Sequence, residues 1–419
     1  MELKPGYKQT EVGVIPEDWD CVSIQRAASN ATNAIVGGPF GSDLTSSDYV
    51  YSGVPVVRGT NMGSRMIEGP FVFVSTEKAA TLTANLARPR DVIFTQRGTL
   101  GQVSLVPDVP FESYLISQSQ MKVSLDTHRH SPQYVYHYFS SAPGQKQIRD
   151  SAIQTGVPHT NLGICKKYLF PAPSFTEQLR IGAVLDDLDS LIEAIDSLLG
   201  KKKQIKQAAM QELLTGKRRL PGFKGEWEVK RLEDIATIDP ENLDSNTQPH
   251  YQFNYISLED VDQGSLLNWS EQEFSSSPSR ARRRLRLNDV LVSTVRPNLK
   301  SHLLFSQDNG EWVCSTGFAT LRCNGDLADP SYVYFHLFGD FINKQIKALL
   351  TGSNYPAINS RDVRSLEIPV PALPEQKEIT RILSSMEDEL ISLAQRLEKA
   401  SSLKLGIMQQ LLTGKIRLK

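Results

Sequence analysis

Basic side chains are bunched in two places. Arg280 to Arg286 (RARRRLR) holds five Arg in seven residues, and Lys201 to Arg231 holds ten Lys/Arg against three Glu. Guanidinium and ammonium groups at that density are what a phosphate backbone would require. For RARRRLR, which includes Arg284, the chemistry is a phosphate clamp, and the alternative is a solvated face. For the second run the alternative is a plain helix end, where cations suit the dipole. Net charge is only −1, so these are local clusters on a balanced chain.

Catalytic chemistry is missing. There is no G-x-G-x-x-G, and "LLTGKR" fails as a phosphate loop, with Gln211 in place of the first Gly and Arg218 in place of Ser/Thr. The seven His form no H-E-x-x-H, and no Asn/Asp-Pro-Pro-aromatic string occurs; "SNYPA" at Ser353 is the nearest. "PDVPFES" at Pro107 starts like a nuclease site but lacks the Lys. Cys21, Cys165, Cys314 and Cys323 lack zinc-ligand spacing and read as reduced structural thiols. The expectation is a chain with no catalytic residue, metal or cofactor. No apolar run is long enough to span a bilayer and no charged-then-apolar leader is present, so the expected location is the cytoplasm, away from membranes.

What organises the chain is a repeat. "MQELLTGKRRL" (Met210 to Leu220) returns as "MQQLLTGKIRL" (Met408 to Leu418) at an offset of 198 residues. The match runs without a gap from Pro158/Pro356 to Leu220/Leu418, with 20 identities in 63 positions. It includes Pro171-x-Pro173 and Pro369-x-Pro371, then Glu177-Gln178 and Glu375-Gln376. Upstream, "DVIF" at Asp91 matches "DVLV" at Asp289, "SPQYVYHYF" at Ser131 matches "DPSYVYFHL" at Asp329, and "IPEDWDCVSI" at Ile15 resembles "FKGEWEVKRL" at Phe223. Similarity fails between Trp19 and Asp91 and between Trp227 and Asp289. Two copies of one frame carry two different inserts.

Each unit ends in a long helix. Ile181, Leu185, Leu188, Ile192, Ile195 and Leu199 alternate steps of four and three, as do Ile379, Leu383, Met386, Leu390, Leu393 and Leu397. That period, near 3.5, marks a coiled-coil seam. Gly200 and the three Lys after it are expected to weaken the first seam. The P-x-P strings precede the helices, Glu177 and Glu375 sit in their first turns, and Gly-Lys closes each. Before each helix lie short β-like runs and one clear helix, begun at Ser131-Pro132 and at Asp329-Pro330. The predicted class is α+β: two globular, largely β domains (1–175 and 218–373) separated by two long antiparallel coiled-coil helices (176–217 and 374–419), a pseudo-two-fold tandem repeat.

Taken together, "LFPAPSFTEQLRI", "IPVPALPEQKEI", the two "LLTGK" ends, "GGPFGSDL", "VRGTNM", "DVIFTQRGTLG" and "LISQSQMKV" resemble the DNA-specificity subunit of type I restriction–modification enzymes. The resemblance covers essentially the whole chain. It implies that each globular part is a target recognition domain for double-stranded DNA. It also implies that the helices form an antiparallel pair, which spaces the domains and docks the modification (methyltransferase) subunits, two of them. Methylation and ATP-driven cleavage would belong to the partner modification and restriction subunits. Departures are Gly200 in the first seam and "STVRPNLK" where the first domain has "TQRGTLG". Two related but different readers imply an asymmetric, bipartite target. A stand-alone DNA enzyme, which the missing motifs disfavour, and a coiled-coil scaffold binding only protein are the competing readings.

Arg suits guanine and Asn suits adenine. Base-reading candidates in the first domain are Arg58, Thr60 and Asn61 of "VRGTNM", Arg97 and Thr99 of "TQRGTLG", then Gln118 and Ser119. Loop "GGPFGS", through Ser42, offers amides to a phosphate. Second-domain candidates are Ser257, Arg296, Asn298, Lys300, Ser315 and Thr316. Thr155 and Thr351, with Asn354 and Tyr355, mark one further loop in each domain.

Overall fold

The structure is a computed structural model and describes residues 5–154, 156–351 and 356–419. The chain divides into two compact units. One comprises residues through Asp196 together with Arg396–Lys419, the other Ser197–Gln395. Each holds one sheet-rich domain, the start of the long helix that follows it, and the end of the other long helix. The architecture is α+β with two domains.

In the first unit one antiparallel sheet has the order Val103–Leu105, Val92–Thr95, Gln120–Val123, Ile35–Gly37. The second unit repeats it with Leu303–Leu304, Val290–Ser293, Phe318–Cys323, Ala236–Ile238. Val92–Thr95 and Val290–Ser293 are buried along their whole length, which suits continuous apolar runs such as "VIF" and "VLV". Each unit has another sheet around one parallel pair: Val54–Val57 beside Tyr114–Ile116, and Gln252–Ile256 beside Trp312–Ser315. The surrounding strands of this sheet lie in the divergent insert, and they differ. The first sheet has five strands and the second four.

The Pro-started helices form where the sequence places them. Ser131 accepts from the Tyr134 amide ahead of Pro132–Ser140, and Asp329 from the Tyr332 amide ahead of Pro330–Phe338. The long helices span Phe175–Leu213 and Leu373–Leu411, 39 residues each. Seam positions Ile181, Leu185, Ile195 and Leu199 are buried, as are Ile379, Leu383 and Leu393. Between Leu199 and Met210 no residue is fully buried, so the seam is interrupted from Gly200 onward, where the glycine and the three lysines stand. The helix itself runs through Gly200, Leu199 stays buried, and a Cβ built on Gly200 meets nothing within 4 Å, so this glycine faces outward.

The Glu-Gln pair at each helix start divides two tasks. Gln178 accepts from the Ser131 amide (3.0 Å) and donates to the Pro173 carbonyl, and Gln376 does the same with Asp329 (2.9 Å) and Pro371. One amide side chain therefore fastens the long helix to the N-cap of the Pro-started helix. The Glu takes an arginine. Arg417 donates two 2.8 Å bonds to Glu177, and Arg219 two 2.8 Å bonds to Glu375. Each guanidinium also lies over an indole, Trp19 at 5.3 Å and Trp227 at 5.4 Å. The sequence reading treats these tails as dipole cations or phosphate contacts. For Arg219 and Arg417 that is corrected: they are the fixed half of a shielded ion pair. Burial acts to raise the Glu177 pKa, but the hydrogen bonds and charge of Arg417 outweigh it and hold the carboxyl below its usual range. Gly216 and Gly414 make the clasps possible, with φ of +69° and +68°; a Cβ would lie 3.2 Å from the Trp227 ring at Gly216, and 2.4 Å from Pro16 and 3.2 Å from the Trp19 ring at Gly414.

Among the described residues no helix is long and apolar enough to cross a membrane. All four cysteines are free.

Candidate nucleic-acid interface

At one end of each domain several loops are tied together by backbone hydrogen bonds. In the first domain the amides of Gln96 and Arg97 reach the Ser119 carbonyl (2.7 and 3.3 Å). The Thr160 amide reaches Gln96, and the Ser117 amide reaches Val57 at the end of the parallel strand. Gly38 passes so close that a Cβ would lie 1.9 Å from the Ser117 carbonyl oxygen, so only glycine admits this crossing. Loops 37–42, 58–61, 96–101, 117–119 and 156–160 thus share one anchored cluster. In the second domain the Thr294 amide reaches Gly317, the Ile358 amide reaches Thr294, and Val295 and Thr351 bridge to Ala357. Each of these bonds is a first-domain bond moved by 198 residues. The frame of the loop cluster is repeated, although its residues are not.

The turn after each parallel strand shows how. Arg58 caps Gly59–Asn61 and Ser257 caps Leu258–Asp260. The Arg58 amide donates to Asn61 Oδ1 (3.0 Å) and the Ser257 amide to Asp260 Oδ2 (2.8 Å). Asn61 is 1% exposed and spends its amide nitrogen on the Glu68 and Pro70 carbonyls (2.8 and 3.1 Å). A group so placed builds the turn and has no donor left for adenine, so Asn61 is withdrawn as a base reader. Its neighbours stay available: Arg58 is half-buried and Thr60 exposed. Arg97, Thr99, Gln118 and Ser42 are exposed, and Ser119 is half-buried.

In the second domain Arg296, Asn298 and Thr316 are exposed, and Ser257 and Lys300 half-buried. Ser315 is 3% exposed and its Oγ accepts from the Gly317 amide, so it supports the loop. Arg296 and Lys300 flank Pro297–Leu299 with φ of +49° and +58°, a left-handed conformation costly for either residue. The loop pairing puts Arg97 level with Val295 and leaves Arg296 at the place of Gly98, so the two arginines are not equivalents. Thr351 is exposed, its hydroxyl on the Ala357 carbonyl at 3.2 Å. Thr155, Asn354 and Tyr355 lie outside the described residues.

The arginine run contributes strand Ala281–Leu285, and three of its five arginines meet acids of the same domain. Arg283 meets Asp239 (2.9 Å), Arg284 meets Glu311 (2.8 Å), and Arg286 meets Glu241 (2.5 Å). Arg282 lies over the Phe274 ring at 5.0 Å and Arg284 over Tyr251 at 5.7 Å. Hydrogen bonds from Tyr251 and from Arg284 hold Glu311 below the usual carboxylate range. Arg284 is thus held by Glu311 in an exposed ion pair that the sequence reading did not foresee.

A sequence profile described as "Type I restriction modification DNA specificity domain" matches residues 43–207 and 224–400, once in each copy. The chain belongs to that family. Its function is DNA recognition for a type I restriction–modification system. Among relatives, the type I restriction enzyme MjaVIII specificity subunit of Methanocaldococcus jannaschii is 22% identical, aligned over 97% of this chain and 94% of its own. A type I restriction enzyme MjaX specificity subunit, assigned as putative in the same organism, is 23% identical over 99% and 97%. The crystal structure of an S subunit from M. genitalium shares the fold, with 14% identity, 98% coverage of each chain and a TM-score of 0.60. So does a chain from a study of complex assembly and conformational transition of the type I R-M system, with 18% identity, 96% of this chain and 99% of that one covered, and a TM-score of 0.54.

The loop cluster gathers most of the candidates that the sequence offered. Sequence reading found its loops because Gly, Asn and Thr between β-like runs mark turns. It passed over two features. Phe40, inside "GGPFGS", is 66% exposed beside the anchored crossing at Gly38. Arg65, alone in "GSRM", carries no local signal because its partner is 121 positions away, at Asp186.

Proposed function

We propose that this specificity subunit reads an asymmetric, bipartite DNA target, one half-site per domain. The observation that carries it is the loop cluster built twice on one hydrogen-bond frame with different side chains. Arg58, Thr60, Arg97, Thr99, Gln118, Ser119 and Ser42 serve the first half-site. Ser257, Arg296, Asn298, Lys300, Thr316 and Thr351 serve the second. Thr155, Asn354 and Tyr355 belong to the same loops by sequence. Recognition domains occupy 1–175 and 218–373, with spacer helices at 176–217 and 374–419.

The helices act as an antiparallel coiled coil with pseudo-two-fold repetition. Supporting pairs within the first unit are Glu177 with Arg417 and Asp189 with Lys404, and within the second Lys202 with Glu389, Lys206 with Glu387 and Arg219 with Glu375. Numbers rise on one helix as they fall on the other. The pair spaces the half-sites and docks two modification subunits. Methylation and ATP-dependent cleavage belong to those subunits and to the restriction subunits, in the cytoplasm.

Genome-wide methylation mapping in cells carrying the chain with its partner subunits tests this. The expected motif has two specified blocks around an unspecified gap. Exchanging residues 1–175 for the same region of a relative changes one block only; a change in both blocks overturns the modular reading. Four residues inserted after Lys206 lengthen the helix by about 6 Å. They shift the preferred gap by about one or two base pairs at roughly 3.4 Å each.

A further inference from the structure

His137, in helix Pro132–Ser140, is 0% exposed, and its Nε2 lies 2.8 Å from Asp186 Oδ1 on the first long helix. That same oxygen lies 2.8 Å from Arg65 Nη1. The arginine side chain is 16% exposed and the carboxylate 23%, so little water screens the contact. Arg65 is carried by the segment that leaves the Gly59–Asn61 turn, and this segment is laced to strand Val103–Leu105. The Arg65 carbonyl accepts from the Leu105 amide (2.8 Å), the Ser64 carbonyl from Ser104 Oγ (2.8 Å), and the Ile67 amide donates to the Leu105 carbonyl (3.0 Å). Asn61 closes the segment onto Glu68. A stiff path therefore runs from the candidate reading turn, through backbone bonds, to one side chain that grips the helix. Beside it lies an open cleft of about 620 Å³, lined by Met62–Arg65 and Thr99–Val103 on the loops and by Asp189 and Glu193 on the helix.

At the corresponding positions the second unit lacks the residues of this grip. At the offset of 198, Phe335 stands for His137 and Ser384 for Asp186, and the turn Ser257–Gly264 contains no Lys or Arg. Phe335 instead lies under Lys206, 5.7 Å from the ammonium.

We propose that Arg65 is a positioning residue for DNA recognition: gripped by Asp186, which His137 orients, it sets the height of the Arg58–Thr60 turn along the first long helix and thereby the gap at which the first half-site is read. The inference rests on the bipartite reading above. The test uses the complex reconstituted with modification subunits and compares methylation rates on duplexes with the native gap and with gaps one base pair longer or shorter. Arg65→Ala and Asp186→Asn lower the native-to-altered ratio by about tenfold, the size of a coupled ion-pair contribution. Base preferences within each half-site stay as in the wild type. Arg65→Lys, which keeps the charge, recovers part of the ratio. His137→Phe, which installs the residue of the second unit without opening a cavity, lowers it in the same direction and carries the test if Arg65→Ala fails to fold. Folded variants with the wild-type ratio overturn the proposal, as does a changed base preference, which would make Arg65 a direct reader. A wild type indifferent to the gap would instead sink the bipartite reading itself.

Discussion

The two domains agree where side chains hold backbone and differ where side chains face outward. At both helix starts a Gln fastens an N-cap and a Glu receives an arginine backed by Trp. At both parallel strands a carboxyl or amide three residues on closes the turn, Asn61 in one and Asp260 in the other. Around those fixed points the chemistry diverges. The first domain places Arg97 where the second has Val295. The second carries an arginine run in which Arg283, Arg284 and Arg286 meet Asp239, Glu311 and Glu241. The lesson is a division of labour: buried polar bonds preserve a shape, and the exposed positions of that shape are free to change.

Removing a clasp is the strongest way to break the comparison. Glu375→Ala leaves Arg219 over Trp227 with no carboxylate and should cost about 2–3 kcal/mol of stability, whereas Glu177→Ala leaves Arg417 its second partner, Asp18 at 2.8 Å, and should cost less. Chemical denaturation of Glu177→Ala in an Asp18→Asn background should bring the first clasp's loss up to that of the second; a loss that stays small would end the claim that the two clasps are equivalent.

Acid separates the units more finely. Burial pushes His302 and His336 down to about 3, both in the second unit. His302 Nδ1 accepts from the Ser293 amide, a role only the unprotonated nitrogen can fill. The unfolded chain takes up protons near the ordinary value of 6.5 while the folded one does not, so stability falls as pH drops from about 6.5 toward 3. Between pH 7 and 5 each His should cost about 2 kcal/mol. His137 in the first unit is also pushed down by burial, but Asp186 pulls it back, so that helix should lose less. Hydrogen exchange followed residue by residue across this range checks the difference. Equal slopes in the two Pro-started helices would refute it.

Exposed and paired arginines give the third contrast. Arg97→Ala should weaken recognition by about 1–3 kcal/mol, concentrated at one base of the first half-site. Arg284→Ala should leave both the affinity and its salt dependence nearly unchanged, because Glu311 already holds that charge. Titrations at several salt concentrations distinguish them; a salt slope reduced by about one for Arg284→Ala would return it to the phosphate contacts.

The smallest expected effect lies in the helices. Gly200 faces outward where the second long helix has Glu398. Gly200→Ala should raise stability by about 1 kcal/mol. A loss on denaturation would mean that the glycine serves a bend.

Much of this molecule was legible in its residues because the signals are local. Periodicity near 3.5 marks the long helices, Ser131-Pro132 and Asp329-Pro330 mark two helix starts, and an offset of 198 marks a duplicated frame. Each follows from neighbours a turn or two apart, or from direct comparison of the chain with itself. The same identities made the DNA-specificity family recognisable. What charge does, by contrast, was decided by tertiary structure. RARRRLR looks the same whether it meets phosphate or Asp239, Glu241 and Glu311, and only folding brings those carboxylates to it. Asn61 reads as a base contact until the Glu68 and Pro70 carbonyls close around it. Arg65 reads as nothing until Asp186 arrives. Helix and turn propensities act over a few residues, but the partner of a charge or an amide is set by which distant segments pack, and that information is not carried by spacing along the chain.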